Sequence, residues 1–133
     1  MRAGVGLLVV LLAATVGLAD PPRRVYLVYS PIPGGLSPES RALREQFDAQ
    51  LREELRRRGA TVLDRQDERV PAIVLRPRLE VKDRGLSLDL VGVRSHDKKL
   101  LGSISVTAGG ATREAQLKAL VRHACFEASQ FDP

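Results

Sequence analysis

The densest charge in the sequence is "LREELRRRGATVLDRQDE", Leu51 to Glu68, with Arg56, Arg57 and Arg58 in a row. Guanidinium forks can hold phosphate or carboxylate through paired N–H donors. The same run at a helix end does something plainer, because cations there offset the negative pole of the backbone dipole. The helix-end reading leads, and an anion-binding Arg56–Arg57–Arg58 patch is the alternative. The carboxylates Asp64, Asp67 and Glu68 follow at once. A glycosidase needs two carboxylates facing each other across a cleft. These three are neighbours in sequence, interleaved with Arg65 and Arg69, and read as an ion-pair-rich loop. His96 and His123 are the only histidines, too few for a zinc site of three or four ligands. His123 has Cys125 and Glu127 close by, a grouping that any helix produces by chance. Gly34-Gly35 precede a helix start, where backbone N–H groups can hold an anion. The Walker pattern is absent there and no Lys follows. No Ser lies in a G-x-S-x-G elbow. The expectation is a protein that is not an enzyme, with no catalytic residue, no metal and no cofactor.

Length and composition set the frame for these residues. The chain has 133 residues, enough for one domain. Met1-Arg2 and the apolar "GVGLLVVLLAATVG" are followed by small residues at Gly17 and Ala19, the pattern of a secretory signal peptide. Cleavage is expected after Ala19, leaving a single domain over residues 20–133. The apolar run is short against the roughly 20 residues that span a bilayer. The expected product has no stable membrane span and is periplasmic or secreted. The formal charge of +5 falls to +4 with loss of Arg2. Such a charge permits weak attraction to anionic polymers and does not require it. Cys125 is alone, which excludes an internal disulfide. It is expected as a small apolar residue between helix and sheet, with an intermolecular disulfide or reactive thiol as alternatives. With no Trp and only Tyr26, Tyr29, Phe47, Phe126 and Phe131 as aromatics, the core must be aliphatic.

The hydrophobic pattern then supplies the elements. "VYLVYS" is apolar on both parities and suits a buried strand over residues 24–30. "PIPGG" ends it. Ser37 is placed as a helix N-cap and Pro38 as the first helical residue. Leu43, Phe47, Leu51 and Leu55 recur every four residues along a helix over 38–58. Glu53–Arg57 and Glu54–Arg58 have the favourable i,i+4 order, and Gly59 suits a left-handed cap. "ATVLDR" predicts a strand over 60–65, closing a βαβ unit. Strict alternation predicts strands over 72–82, 86–94 and 100–107 in an antiparallel meander. Pro77 demotes the first of these toward an edge or a bulge. Face matching sets Val81 opposite Leu88 and Leu90 opposite Ile104. Leu100, Ile104 and Val106 are expected inward, with Ser103, Ser105 and Thr107 outward. Thr112 caps a second helix over 113–129, whose stripe is Leu117, Leu120, Val121, Ala124 and Ala128. "SQFDP" is expected to fray. The predicted class is α/β (α+β). It is a two-layer sandwich of a mixed five-stranded sheet with two helices on one face, in the order β-α-β-β-β-β-α.

The wet face of that sheet holds the remaining candidates. Arg76, Arg78, Val91, Val93 and Leu101 are expected there as a partner-binding patch, apolar contact framed by arginine. No aromatic accompanies them for base stacking, so no nucleic acid is expected.

Strung together, "VYLVYS", the Leu-every-fourth helix, "GATVLDRQ", "AIVLRPRLE" and "LSLDLVGVRSHDKKLLGSISV" form a familiar series. It resembles bacterial envelope domains shared by the curli secretion-channel lipoprotein, the penicillin-binding-protein activator lipoprotein and the amino-terminal domain of the Tol–Pal propeller protein. In those domains a Gly and a strand ending in Asp-Arg follow the first long helix, as Gly59, Val62, Asp64 and Arg65 do here. This chain departs in lacking the Thr-Gly pair in its second hairpin turn, Ser95 to Lys99, and the lipid-bearing Cys. The resemblance implies an exported, non-enzymatic envelope module, an assembly or accessory subunit that contacts a protein partner or copies of itself. The alternative is a module that binds an anionic glycan or lipid headgroup through its arginines.

Overall fold

The computed structural model of the protein describes residues 23–133, so the expected leader over residues 1–19 lies outside it. The elements run β1 (Val25–Val28), α1 (Pro38–Arg57), β2 (Thr61–Leu63), β3 (Ile73–Lys82), β4 (Gly85–Arg94), β5 (Leu100–Gly109) and α2 (Arg113–Ala128). This is the expected order.

Local chemistry explains each helix end. Ser37 Oγ accepts from the Ser40 N–H at 3.2 Å, and Thr112 Oγ1 accepts from the Ala115 N–H at 3.1 Å. At the far end of α1, Ala60 N–H reaches Leu55 O and Gly59 N–H reaches Arg56 O, both at 3.0 Å. This is a Schellman closure, and it needs the left-handed φ of +94° that Gly59 adopts without steric cost.

The five-stranded sheet has the order β2-β1-β3-β4-β5. β1 pairs in parallel with both β2 and β3, while β3, β4 and β5 form the antiparallel meander. Both helices cover one face. Leu43, Phe47, Leu51 and Leu55 of α1 and Leu117, Leu120, Val121 and Ala124 of α2 form one core with Tyr26, Val28, Ile73, Leu75, Leu79, Leu86, Leu88 and Leu90. Cys125 lies within this core, between helix and sheet as expected, 1% exposed. It is free, and burial pushes its thiol up to about 11, which leaves the thiol inert.

Four local expectations are corrected. Val81 pairs with Leu86, not Leu88, because the turn closes on Lys82 and Gly85; a slip of two residues keeps every leucine on its face. Leu90 does face Ile104. A β-bulge follows: Gly92 pairs with Gly102 but Val93 with Leu100, so Leu101 is the extra residue. The bulge reverses the side-chain alternation. Leu101 packs against the helix-side core, and Leu100 stands out at 60% exposure. The strand expected to hold Leu100 inward and Leu101 outward therefore does the opposite. Lastly, the tail after α2 is not frayed. Phe131 is 5% exposed. A Cβ added at Gly92 or at Gly102 would lie 2.3 Å from its ring, so the paired glycines make the floor on which it sits. Arg24 donates to Phe131 O, and Tyr26 Oη donates to Ala128 O at 3.1 Å, tying the tail to β1. Finally, of the two expected i,i+4 pairs only Glu54–Arg58 forms; Arg57 turns to Glu54 as well, three residues back.

Pro77 is accommodated by strand length. Tyr29 N–H donates to Leu75 O at 2.8 Å, so the odd residues of β3 turn their peptide groups toward β1. β1 has ended by Pro77. The missing N–H therefore falls on a side with no neighbouring strand, and pairing with β4 continues unbroken. The strand is central at Ile73 and an edge by Pro77.

Candidate functional site

Alternation along β1, β3 and β4 sends Leu27, Val74 and Val93 to the face opposite α1 and α2, which is helix-free among the described residues. They form a second apolar cluster with Leu63 and Val91. The pairs Leu27–Leu63, Leu27–Val74 and Val74–Val93 place them in one row across four strands. Exposed Leu100, opposite Val93, prolongs the row onto the fifth.

Arginine borders this row. Arg76 is exposed, next to half-buried Val91 across the β3–β4 ladder. Its guanidinium lies 5.6 Å from the centroid of the Tyr29 ring, a cation–π pair that holds it over the face. Arg78 reaches Glu80 Oε2 at 3.4 Å, and Lys82 reaches the other Glu80 oxygen at 3.2 Å. Beyond the end of β1, the free length of β3 and the 31–36 loop enclose an open groove of ≈ 980 Å³. Tyr29, Ile32, Leu36, Arg44, Arg76 and Arg78 are among its lining residues.

Of the five residues expected in the patch, the structure brings together Arg76, Arg78, Val91 and Val93. Leu101 is removed from it by the bulge. Tyr29 and Leu100 are additions. Neither was legible: a strand apolar on both parities reads as buried through Tyr29, which in fact follows the end of β1 and is 52% exposed, and nothing in the sequence announces the bulge that turns Leu100 outward.

The arginines at the end of α1 are occupied within the chain. Arg56 lies 3.6 Å from Asp64, and Arg57 and Arg58 share the two oxygens of Glu54. Hydrogen bonding from Arg58 holds the Glu54 carboxyl below its ordinary range. The carboxylates after β2 behave as a loop network, with Asp67 accepting from the Arg69 backbone and guanidinium.

A further group was missed. Arg44, Asp48 and Arg52 repeat every four residues on α1, one position beyond Leu43, Phe47 and Leu51. They are half-buried. Burial raises the Asp48 carboxyl, opposed by Ser30 and the two arginines. Arg52 Nη2 donates to Val28 O at 3.1 Å, the end of β1. The Nε atoms of Arg44 and Arg52 are buried without a partner. The signal was the four-residue spacing itself, which runs parallel to the apolar stripe.

Among the described residues no group of three or more His, Cys, Asp or Glu is placed to hold a metal ion. His123 lies 3.7 Å from Glu127, and His96 sits in the exposed turn before β5. No helix among the described residues is long and apolar enough to cross a membrane. The chain matches no protein-family model, and no curated protein matches it in sequence.

Proposed function

We propose that the protein is an exported, non-enzymatic module of the cell envelope that works through protein–protein contact, as an assembly or accessory subunit. The observation that carries this reading is the apolar row on the helix-free face, bordered by Arg76 and Tyr29. Arginine and tyrosine beside a small apolar area are the composition of protein contact surfaces. The leader pattern in residues 1–19 and the resemblance anchored at Gly59, Val62, Asp64 and Arg65 support export to the envelope. The partner contact would desolvate Val91 and Leu100 while Arg76, already stacked on Tyr29, loses little side-chain freedom on binding.

The test is photo-crosslinking in living cells with the reactive residue placed at Arg76, Val91 or, on the opposite layer, exposed Phe126. The reading expects one protein partner joined from positions 76 and 91 and not from 126. It also expects the double Arg76→Glu, Arg78→Glu variant to lose that partner while its circular dichroism is unchanged. Equal crosslinking from 126, or full recovery by the folded double variant, would sink this surface. Substituting Leu101, by contrast, tests only the core.

A further inference from the structure

The two edges of the sheet are built differently. β2 at one edge is three residues long and runs into Asp64 and Arg65. β5 at the other is ten residues, LLGSISVTAG, with no charge and no proline. Sheet edges in monomeric proteins are ordinarily blunted by charge, proline, shortness or a bulge, because their open peptide groups recruit further strands. β5 has only the bulge at Leu101, near its start, and from Gly102 to Ala108 its ladder to β4 is regular.

The hydrogen-bond parity says which groups are open. Even residues of β4 turn toward β5, as the Arg94 N–H bond to Lys99 O shows. Leu86, Leu88, Leu90 and Gly92 therefore exchange bonds with Ala108, Val106, Ile104 and Gly102. The peptide groups of Ser103, Ser105 and Thr107 are left pointing off the edge. Their side chains are exposed on the helix-free face. On the other face Leu101, Ile104, Val106 and Ala108 touch the core but remain half-exposed, an apolar layer that stops short of cover.

We infer that β5 pairs antiparallel with β5 of a second copy, joining the two sheets into one. A two-fold axis at Ser105 gives a self-complementary register. Ser105 meets Ser105 of the other copy as a doubly hydrogen-bonded pair, and Ser103 meets Thr107, so small hydroxyls oppose one another on the open face. On the helix side Ile104 meets Val106, and Gly102 meets Ala108. The half-covered layer of each copy is thereby continued by the other. No charge lies opposite another, since β5 has none; Asp89, which accepts from Ser105 Oγ at 2.6 Å, stands one strand back. A foreign strand would satisfy the same peptide groups, but only a second copy brings this alternation of apolar and hydroxyl residues together with a helix layer. This contact uses the β5 edge from Gly102 to Ala108, apart from Arg76, Val91 and Leu100 of the partner contact proposed above, and does not depend on it.

Sedimentation equilibrium and cysteine crosslinking test it. The wild-type chain should show a concentration-dependent dimer. Ser105→Lys sets two ammonium groups face to face at the axis and should weaken dimerisation at least tenfold with an unchanged circular dichroism spectrum. Ser105→Cys should form a disulfide between copies on mild oxidation, since Cα atoms of such a pair are about 5.5 Å apart, within disulfide reach. Ser87→Cys, on β4 and so three strand spacings from its counterpart, should not; wild-type chain with its buried Cys125 sets the baseline. A chain that stays monomeric to about 1 mM, where even a millimolar dissociation constant would show, overturns the inference. So does a dimer indifferent to Ser105→Lys, or one crosslinked through Ser87 and not Ser105. Should Ser105→Lys fail to fold, the cysteine pair decides alone.

Discussion

The two faces of this sheet carry similar alternations and meet opposite fates. On one, leucines of β3 and β4 are buried to the last few per cent beneath two helices; Leu75, Leu86, Leu88 and Leu90 show 0% exposure. On the other, Leu27, Val74 and Val93 reach 6–8% among their sheet neighbours, in a cluster separate from the helix-side core. The difference lies in width. The helix side presents apolar chains along the whole length of β3 and β4, with Tyr26, Val28 and Val62 on β1 and β2, and needs a second layer to cover them. The open side presents a single row, Leu63, Leu27, Val74, Val93 and Leu100, with Val91 beside it and arginine, serine and threonine beyond. A wide apolar face specifies the fold, whereas a narrow row leaves an exposed border that a partner can use.

The largest effect that would break this contrast belongs to the tail. Phe131 completes the helix-side layer where Gly92 and Gly102 leave a gap in the sheet surface. Phe131→Ala should lower unfolding stability by about 3 kcal/mol, the range for deleting a buried ring. Urea titration followed by circular dichroism would measure it. A loss under about 0.5 kcal/mol, the size of an ordinary surface substitution, would mean that the tail frays after all and that the layer ends at α2. Gly92→Ala should reproduce part of the loss, because its methyl group displaces the same ring.

How far the sequence could be read follows from which interactions are local. The α1 stripe, both N-caps and the turn at Gly59 depend on residues within a few positions, and all were legible. So were the element order and the two-layer arrangement, since period two and period four seldom mislead over ten residues. Phe131 was not, because its partners are two glycines far back in the chain, and glycine is silent in a hydrophobic pattern. The bulge was not, because an inserted residue costs nothing in composition. In the candidate site, Arg76, Arg78, Val91 and Val93 were placed by alternation alone. Leu101 was misplaced for the same reason, as parity carries across a bulge only when the bulge is known.

That bulge supplies the next test, since it puts adjacent leucines on the two faces. Leu101→Ser should cost about 1–2 kcal/mol through lost burial at a half-buried site, and Leu100→Ser less than about 0.5 kcal/mol, as for an exposed residue. Thermal or urea unfolding of the pair decides the matter by rank. If Leu100→Ser is the more damaging, β5 runs without a bulge, Leu101 returns to the arginine-bordered row, and the open face is wider than described.

The smallest effect concerns Asp48, a carboxyl half-buried at the margin of the helix layer. Burial raises the Asp48 carboxyl above its ordinary 3.8, more than Ser30, Arg52 and Arg44 together lower it. Its charge therefore counts against the native state at pH values above the raised value. As pH falls through that value toward 3.8, the native state takes up the proton first and the penalty is relieved. Asp48→Asn has no such proton to gain. The stability of wild type relative to Asp48→Asn should thus rise on acidification through this window and level off below it. All other carboxylates are common to the two chains and cancel in the difference. A relative fall on acidification would give the opposite meaning: Arg44 and Arg52 would outweigh burial, and the helix layer would be pinned at this margin by an ion triad rather than by apolar cover.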